Sequence, residues 1–262
     1  MSASAAINPK GPLLTRGTTA FAWADAYLTS TVGQKIVVAL TGLALAGFAV
    51  FHMAGNLKMF PGGVESREAM NSYAYFLKHG LGVWLWVARA GLLAVFLLHL
   101  YVALRLKLKA IAARPIGYAY SRHAQANPAA TTMVWTGIVV GAFILFHLAH
   151  YTLGWVHDAP RPGGAWVNYL DLKDHAGRHD VYHMVIAGFT TWWIVAVYLV
   201  AQVLLFAHLS HGIPSAFQTL GLKSRRFAAA IKWFGLAVAG TILVGNVAIV
   251  LAVWTGYVGP VE

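Results

Sequence analysis

Lys35-Ile-Val-Val-Ala-Leu-Thr-Gly-Leu-Ala-Leu-Ala-Gly-Phe-Ala-Val-Phe-His-Met-Ala-Gly-Asn-Leu-Lys58 runs from one lysine to the next with no Asp, Glu, Lys or Arg between them. A helix needs about 20 apolar residues to cross roughly 30 Å of hydrocarbon, so this run can span a bilayer alone. The same holds between Arg122 and Asp158, between Asp180 and Lys223, and between Lys232 and Glu262. A fifth run, 81–106, is interrupted only by Arg89 and Arg105. Of the 262 residues, 59% are hydrophobic and 10% charged, against about 25% charged in an average globular chain. So few charges cannot clothe a soluble surface, and the same apolar content excludes disorder. No Cys is present, which excludes disulfide scaffolds, zinc–thiolate sites and Cys-ligated iron–sulfur clusters. The runs are long and lack two-residue alternation, so they predict helices rather than barrel strands. The sequence thus predicts an all-α integral membrane protein forming one membrane domain, 1–262. Its transmembrane helices are placed at 35–57, 81–106, 132–155, 183–209 and 228–256, the first four forming an up-down bundle.

The charges also orient it. With five spans, one side holds Lys10, Arg16, Lys35, Arg105, Lys107, Lys109, Arg114, Arg122, Lys223, Arg225, Arg226 and Lys232 against the single acid Asp25. The other side is neutral, so the net charge of +11 sits on one face. The positive-inside rule puts that face, with the N-terminus, in the cytoplasm and the C-terminus outside. A basic face can also bind nucleic acid, but beside spanning helices it reads first as topology, and second as a dock for an acidic partner. No apolar core precedes Val37, so a cleaved signal peptide is not expected. Phe21, Trp23 and Tyr27 suit an interfacial anchor, Pro61-Gly62-Gly63 and 160–164 suit turns, and no long repeat is evident.

Ionisable groups in spans are expensive and functional by default. Six of the twelve histidines fall in or near the apolar runs: His52, His99, His147, His150, His208 and His211. A lone His in a bundle commonly just hydrogen-bonds a neighbouring helix; four helices each carrying one are another matter. Helices I and III run outward and carry His52 and His147 in their outer parts. Helices II and IV run inward, with His99 past the midpoint and His208 close to the inner end. First and third helices are diagonal in an up-down bundle, as are second and fourth. Two facing imidazoles at each of two depths are what two bis-His haem irons require. Gly42, Gly47, Gly91, Gly137 and Gly141 allow close approach to such a ring. Zinc would need further ligands, and a proton relay would call for acids within the spans, which hold none. In the doublets His147-Leu-Ala-His150 and His208-Leu-Ser-His211 the earlier, deeper member is the expected ligand. His183 is expected at the interface, and His79, His123, His157, His175 and His179 in solvated connections.

The chain also resembles a family. Ser30-Thr31-Val32-Gly33-Gln34-Lys35 leads into Thr41-Gly42-Leu43 and Phe51-His52-Met53-Ala54-Gly55-Asn56-Leu57; Ala113-Arg114-Pro115-Ile116-Gly117-Tyr118 follows helix II. His208-Leu209-Ser210-His211-Gly212 comes with Ser215, Phe217, Gln218, Thr219, Leu220 and Gly221. In this order, with five spans, the set resembles the cytochrome b membrane-anchor subunit of type B succinate:quinone oxidoreductases (succinate dehydrogenase/fumarate reductase), of the di-haem five-helix type. The resemblance implies two haem b groups with axial ligands His52, His99, His147 and His208. It further implies a flavoprotein and an iron–sulfur subunit on the cytoplasmic face, which carry FAD and the clusters. Electrons would pass through the inner to the outer haem and on to a quinone, menaquinone being the expected species, in a bacterial cytoplasmic membrane. The chain alone would carry no succinate-oxidising site.

Arg89, the one charge well inside a helix, lies about 15 Å outward of His99 and is a candidate for a haem propionate or a quinone pocket; an arginine snorkelling to the interface is an equal alternative. His150 and His211 are further propionate candidates. Glu65 and Glu68, with Asn71 and Lys78, are candidates for quinone proton exchange, and Ser30 and Lys35 for an inner quinone site. Some family members carry a glutamate two residues before the helix IV ligand; here Phe206 stands there, and that role does not transfer. Competing readings are a di-haem cytochrome b of a hydrogenase or formate dehydrogenase, a cofactor-free transporter, which would show broken helices or inverted repeats, and a plain anchor. Helix V has no His, and its Gly235, Gly240 and Gly245 suit close packing.

Overall fold

The structure is a computed structural model that describes residues 22–113, 132–160 and 166–261. Lys10, Arg16, Phe21, 114–118, Arg122, His123 and 161–164 lie outside the described residues. Helix α1 (Ala22–Thr29) leads into α2 (Thr31–Asn56), which ends in a 3-10 turn at Leu57–Met59. Then come α3 (Gly63–Tyr75), α4 (Val83–Ala112), and α5 (Met133–His147), which closes in a π-helical turn at Leu148–Thr152. A short hairpin pairs β1 (Asp158–Pro160) with β2 (Trp166–Asn168). Helices α6 (Val181–Phe189), α7 (Trp192–Thr219) and α8 (Ala228–Trp254) complete the chain.

Five helical segments are long and apolar enough to cross a membrane: Thr31–Met59, Val83–Ala112, Met133–Thr152, Trp192–Thr219 and Ala228–Trp254. The protein is an all-α integral membrane protein, as the charge-free runs indicate. Helix α2 packs on α4 and α7, and α5 packs on α7 and, more briefly, on α4. The diagonal partners α2 with α5 and α4 with α7 make little contact, so these four helices form the expected up-down bundle. Helix α8 lies outside it against α7 and α2. A Cβ at Gly235 would stand 2.6 Å from Pro214 Cδ, and one at Gly245 would collide with Met53 Sδ. These two glycines set the close approach of α8; Gly240 faces open space.

The fourth span departs from the expected 183–209. The chain breaks at Thr190 and Thr191, and α7 then continues to Thr219 through Pro214. Thr190 Oγ1 donates to the Ala187 carbonyl at 2.8 Å, and Thr191 is extended at φ −101°, ψ 118°. Hydroxyls that bond the preceding turn compete with the helix ladder, a signal that counting charges does not register. His208 therefore does not lie close to the inner end of its helix: about three turns follow it. The second span also runs longer than 81–106, since Arg105, Lys107 and Lys109 extend α4 on stems that reach the polar boundary.

At the basic end, Ser30 caps α2 by accepting from Gly33 N at 3.0 Å, and buried Gln34 accepts from Lys109 Nζ at 3.1 Å. The Ser30 hydroxyl is thus engaged as a cap, and Lys35 is exposed. At the opposite end a polar network ties α3, the β2–α6 connection, α6 and the C-terminal tail together. Arg67 Nη2 donates to Asp180 Oδ2 at 2.9 Å, Asn71 Nδ2 to Asp180 Oδ1 at 3.0 Å, and the Val261 amide to His183 Nε2 at 3.1 Å. Arg178 bridges Asp174 and Glu68 at 2.8 and 2.6 Å. Beneath it Met59, Met70, Tyr182, Ile186, Phe189 and Ile194 form the main buried core.

Burial pushes the Asp180 carboxyl up, but hydrogen bonds from His183 and Asn71 outweigh it and hold the group well below the usual carboxylate range. Its stabilisation is therefore fully present above about pH 4, where the unfolded carboxyl ionises, and declines as pH falls toward the lowered native value. Asp180→Ala, which strands Arg67 and Asn71, is expected to cost about 3 kcal/mol. Thermal unfolding in detergent from pH 7 to pH 3 checks both statements: the wild-type Tm should fall below about pH 4, and the variant should start lower and lose less.

Candidate functional site

Thr41 and Thr136 are buried one turn or more inside α2 and α5. A threonine hydroxyl carries one proton, and each of these spends it on its own helix: Thr41 Oγ1 donates to the Val37 carbonyl at 2.7 Å, and Thr136 Oγ1 to the Met133 carbonyl at 3.0 Å. What each oxygen still offers is a lone pair, and an imidazole takes it. His99 Nδ1 lies 3.0 Å from Thr41 Oγ1, and His208 Nδ1 lies 3.3 Å from Thr136 Oγ1. A hydroxyl oriented in this way leaves the imidazole to donate from Nδ1, toward the side where the Val38 and Met133 carbonyls also act on His99 and His208, and each Nε2 then carries the lone pair. The adjoining glycines seat the rings: a Cβ at Gly42 would stand 3.0 Å from His99 Cε1, and one at Gly137 3.1 Å from His208 Cε1. His99 and His208 each lie sixteen residues after the first residue of their helix, α4 from Val83 and α7 from Trp192. Thr41 and Thr136 each stand eleven residues before His52 and His147, whose rings touch, so on diagonal helices the two imidazoles they hold share one depth.

The second pair is in contact. The rings of His52 and His147 are 5.7 Å apart, centre to centre, at 86°. Two imidazoles on opposite sides of one metal atom, with bonds of about 2 Å and roughly 1 Å from nitrogen to ring centre, have centres about 6 Å apart. His147 Nδ1 lies 3.1 Å from Tyr198 Oη, and the buried His150 Nδ1 lies 2.9 Å from the same oxygen. The π-helical turn after His147 brings both imidazoles onto one tyrosine of α7. Tyr198 has one proton for two imidazoles, so it donates to one and accepts from the other. Among the described residues His150 Nε2, Tyr151 Oη and Tyr169 Oη are buried and find no hydrogen-bond partner, and His150 stacks on Tyr151 at 4.0 Å. His52 Nε2 accepts from Asn56 Nδ2 at 3.3 Å, a weak contact that ligation would replace.

The donor set fits a haem: two facing imidazoles per level, no acid at either, and at the level of His99 and His208 a glycine beside each ring. Among the described residues no group of three or more His, Cys, Asp or Glu is placed to hold a metal ion. The other candidates are scattered. Arg89 is exposed and lies over Trp86, 5.0 Å from its ring centre, one turn toward the start of α4. Glu65 and Lys78 are exposed. Glu68 is engaged by Arg178, and Asn71 is built into the Asp180 network. His211 is half-buried three residues beyond His208. His183, expected at the interface, bonds Asp180 instead at 2.7 Å. His179 is not simply solvated either, since its Nε2 donates to the Tyr169 carbonyl at 3.1 Å.

Thr41, Thr136 and Tyr198 escaped the sequence reading. A signal for the threonines exists. Residues 41–52 (TGLALAGFAVFH) and 136–147 (TGIVVGAFILFH) share Thr, Gly, two Phe and the terminal His at the same spacings. Tyr198 has no such signal, since its partners lie about 50 residues away in sequence. Compared with family models, with curated proteins and with solved structures, the chain has no match in any of the three.

Tyr198→Phe leaves the Nδ1 atoms of His147 and His150 without their shared partner. The expected loss is about 2 kcal/mol of stability, read as a lowered Tm of the purified protein with its helical circular dichroism unchanged at 20 °C.

Proposed function

We propose that the chain is a di-haem cytochrome b: His99 pairs with His208 at the level nearer the basic face, and His52 with His147 at the other. The observation that carries this reading is the pair of Nδ1-anchored imidazoles at one depth on diagonal helices, each with an unprotonated Nε2. Haem b bound in this way supplies a one-electron couple inside the membrane. The protein's own residues then do four things. The four histidines hold the iron, and Thr41, Thr136 and Tyr198 fix ring orientation and the proton on Nδ1 where each acts. Gly42 and Gly137 admit close approach, and the apolar helices exclude water. His150, fully buried with Nε2 unpaired, is assigned as a hydrogen-bond donor to a propionate, with Arg89 and His211 as further contacts.

The physiological role we assign is that of the membrane anchor of a succinate dehydrogenase/fumarate reductase. The chain would pass electrons between an iron–sulfur subunit, itself joined to a flavoprotein, and membrane quinone, with menaquinone as the expected species. Its support is the ordered set of resembling stretches together with the exposed Lys35, Lys107, Lys223, Arg225, Arg226 and Lys232 on one face. That face suits an acidic soluble partner on the cytoplasmic side of a bacterial membrane. Glu65 and Arg89 remain the exposed candidates for quinone contact on the opposite side.

The test is a reduced-minus-oxidised spectrum with haem and iron quantified, co-purifying subunits retained. Two b-type haems per chain, reducible by succinate, are expected. His99→Ala and His208→Ala should each lose one haem equivalent by pyridine haemochrome assay, and His211→Ala should keep both. Folded protein without haem overturns the reading; two haems that succinate fails to reduce, in a preparation that retains a flavoprotein, overturn the physiological assignment alone.

A further inference from the structure

The repeated Thr-Gly-x9-His segment does more than supply an axial histidine. In each copy the terminal His belongs to one level of the bundle, while the leading Thr-Gly pair, about 16 Å back along the helix, serves the other. Helix α2 contributes His52 to one level and seats His99 of α4 with Thr41 and Gly42. Helix α5 contributes His147 to the same level and seats His208 of α7 with Thr136 and Gly137. The two halves, α2 with α4 and α5 with α7, thus repeat one device. Both copies also orient the hydroxyl the same way, with its proton on a carbonyl of the preceding turn and its lone pair on the incoming imidazole.

We propose that Thr41 and Thr136 are matched positioning residues, which set the tautomer and the ligand strength of His99 and His208 through a hydrogen bond accepted from each Nδ1. The proposal rests on the di-haem reading for its effect on iron, though its statement about tautomers does not. An imidazole that donates from Nδ1 is a stronger base at Nε2, which favours the oxidised iron. The hydroxyls are buried, at 9% and 7% exposure, so water does not replace them when they are removed, and each ring keeps only the backbone carbonyl of Val38 or Met133. The other level is built differently, with Asn56 on His52 and the shared Tyr198 on His147. It should not respond.

Thr41→Val and Thr136→Val keep shape and remove the acceptor; Thr41→Ser and Thr136→Ser restore it. In optical redox titrations of the haem-loaded protein, each Val variant should retain two haems. The haem ligated by His99 and His208 should shift to a more positive potential, with the double variant shifting further, by about tenfold in its reduction equilibrium. Electron paramagnetic resonance should show the low-spin signal of that haem altered and the other unchanged, and the Ser variants should return both readouts to wild type. An unmoved potential and signal in the double Val variant, or Ser variants that behave like Val, overturns the proposal while leaving the di-haem reading intact. If the wild type binds no haem, the di-haem reading fails on its own, and nitrogen-15 spectra of histidine-labelled protein decide the remainder. His99 and His208 are expected among the Nδ1–H imidazoles of the wild type, and the Nδ1–H signal of one of them is expected to move in each Val variant. Nε2–H imidazoles at both positions in the wild type overturn the proposal.

Discussion

A buried imidazole in hydrocarbon has two nitrogens and no water to satisfy either, so the arrangement of the bundle follows from where those nitrogens find partners. The hydroxyl of a threonine already bonded to its own helix can only accept, which removes the choice of tautomer from His99 and His208. The rings then stand with their basic nitrogens directed away from the helix that holds them. This one constraint accounts for the glycine after each threonine, because a ring close enough to reach the hydroxyl would meet any Cβ at the next position.

The two ends of the molecule stabilise this arrangement by different means. At the basic end Lys109 reaches Gln34, Ser30 caps α2 and Lys223 reaches Gln218, while Lys35, Lys107 and Arg225 are exposed. At the other end Asp180 gathers Arg67, Asn71 and His183, and through His183 the last residues of the tail. That network is far from the paired histidines nearest the basic face but directly above Tyr182 and Phe189, which pack toward Tyr198 and Tyr151. The networked end thus lies beside the level at which His52 and His147 meet, and the basic end beside the level of His99 and His208.

Much of this was legible in the residues. Charge-free runs of membrane length gave five spans, and the up-down alternation of short connections gave the diagonals. The depths of the histidines brought His52 and His147 together, whose rings touch, whereas His208 was placed too near its helix end because α7 continues past 209 through Pro214 to Thr219. The supporting residues were hidden for a different reason. A threonine in an apolar run reads as a mild helix residue, and only its position eleven residues before a histidine, twice, distinguishes it. Tyr198 was beyond reach because its role depends on a π-helical turn that rotates His150 toward it. Glu68 and Asn71 looked available for proton exchange because a sequence does not display Arg178 and Asp180 folded back on them.

The spacing of Thr41 to His52, matched by Thr136 to His147, makes each helix a rule of fixed length. Eleven residues are close to three turns of α-helix, so both ends of the rule face the same side. One residue inserted between them would turn the distal histidine by about 100° and send it toward lipid, whereas a change of side chain along the intervening face alters only packing. Apart from Gly42 and Gly137, the two helices should therefore accept substitution between their marks more readily than insertion or deletion, so that in this fold length is held more tightly than composition.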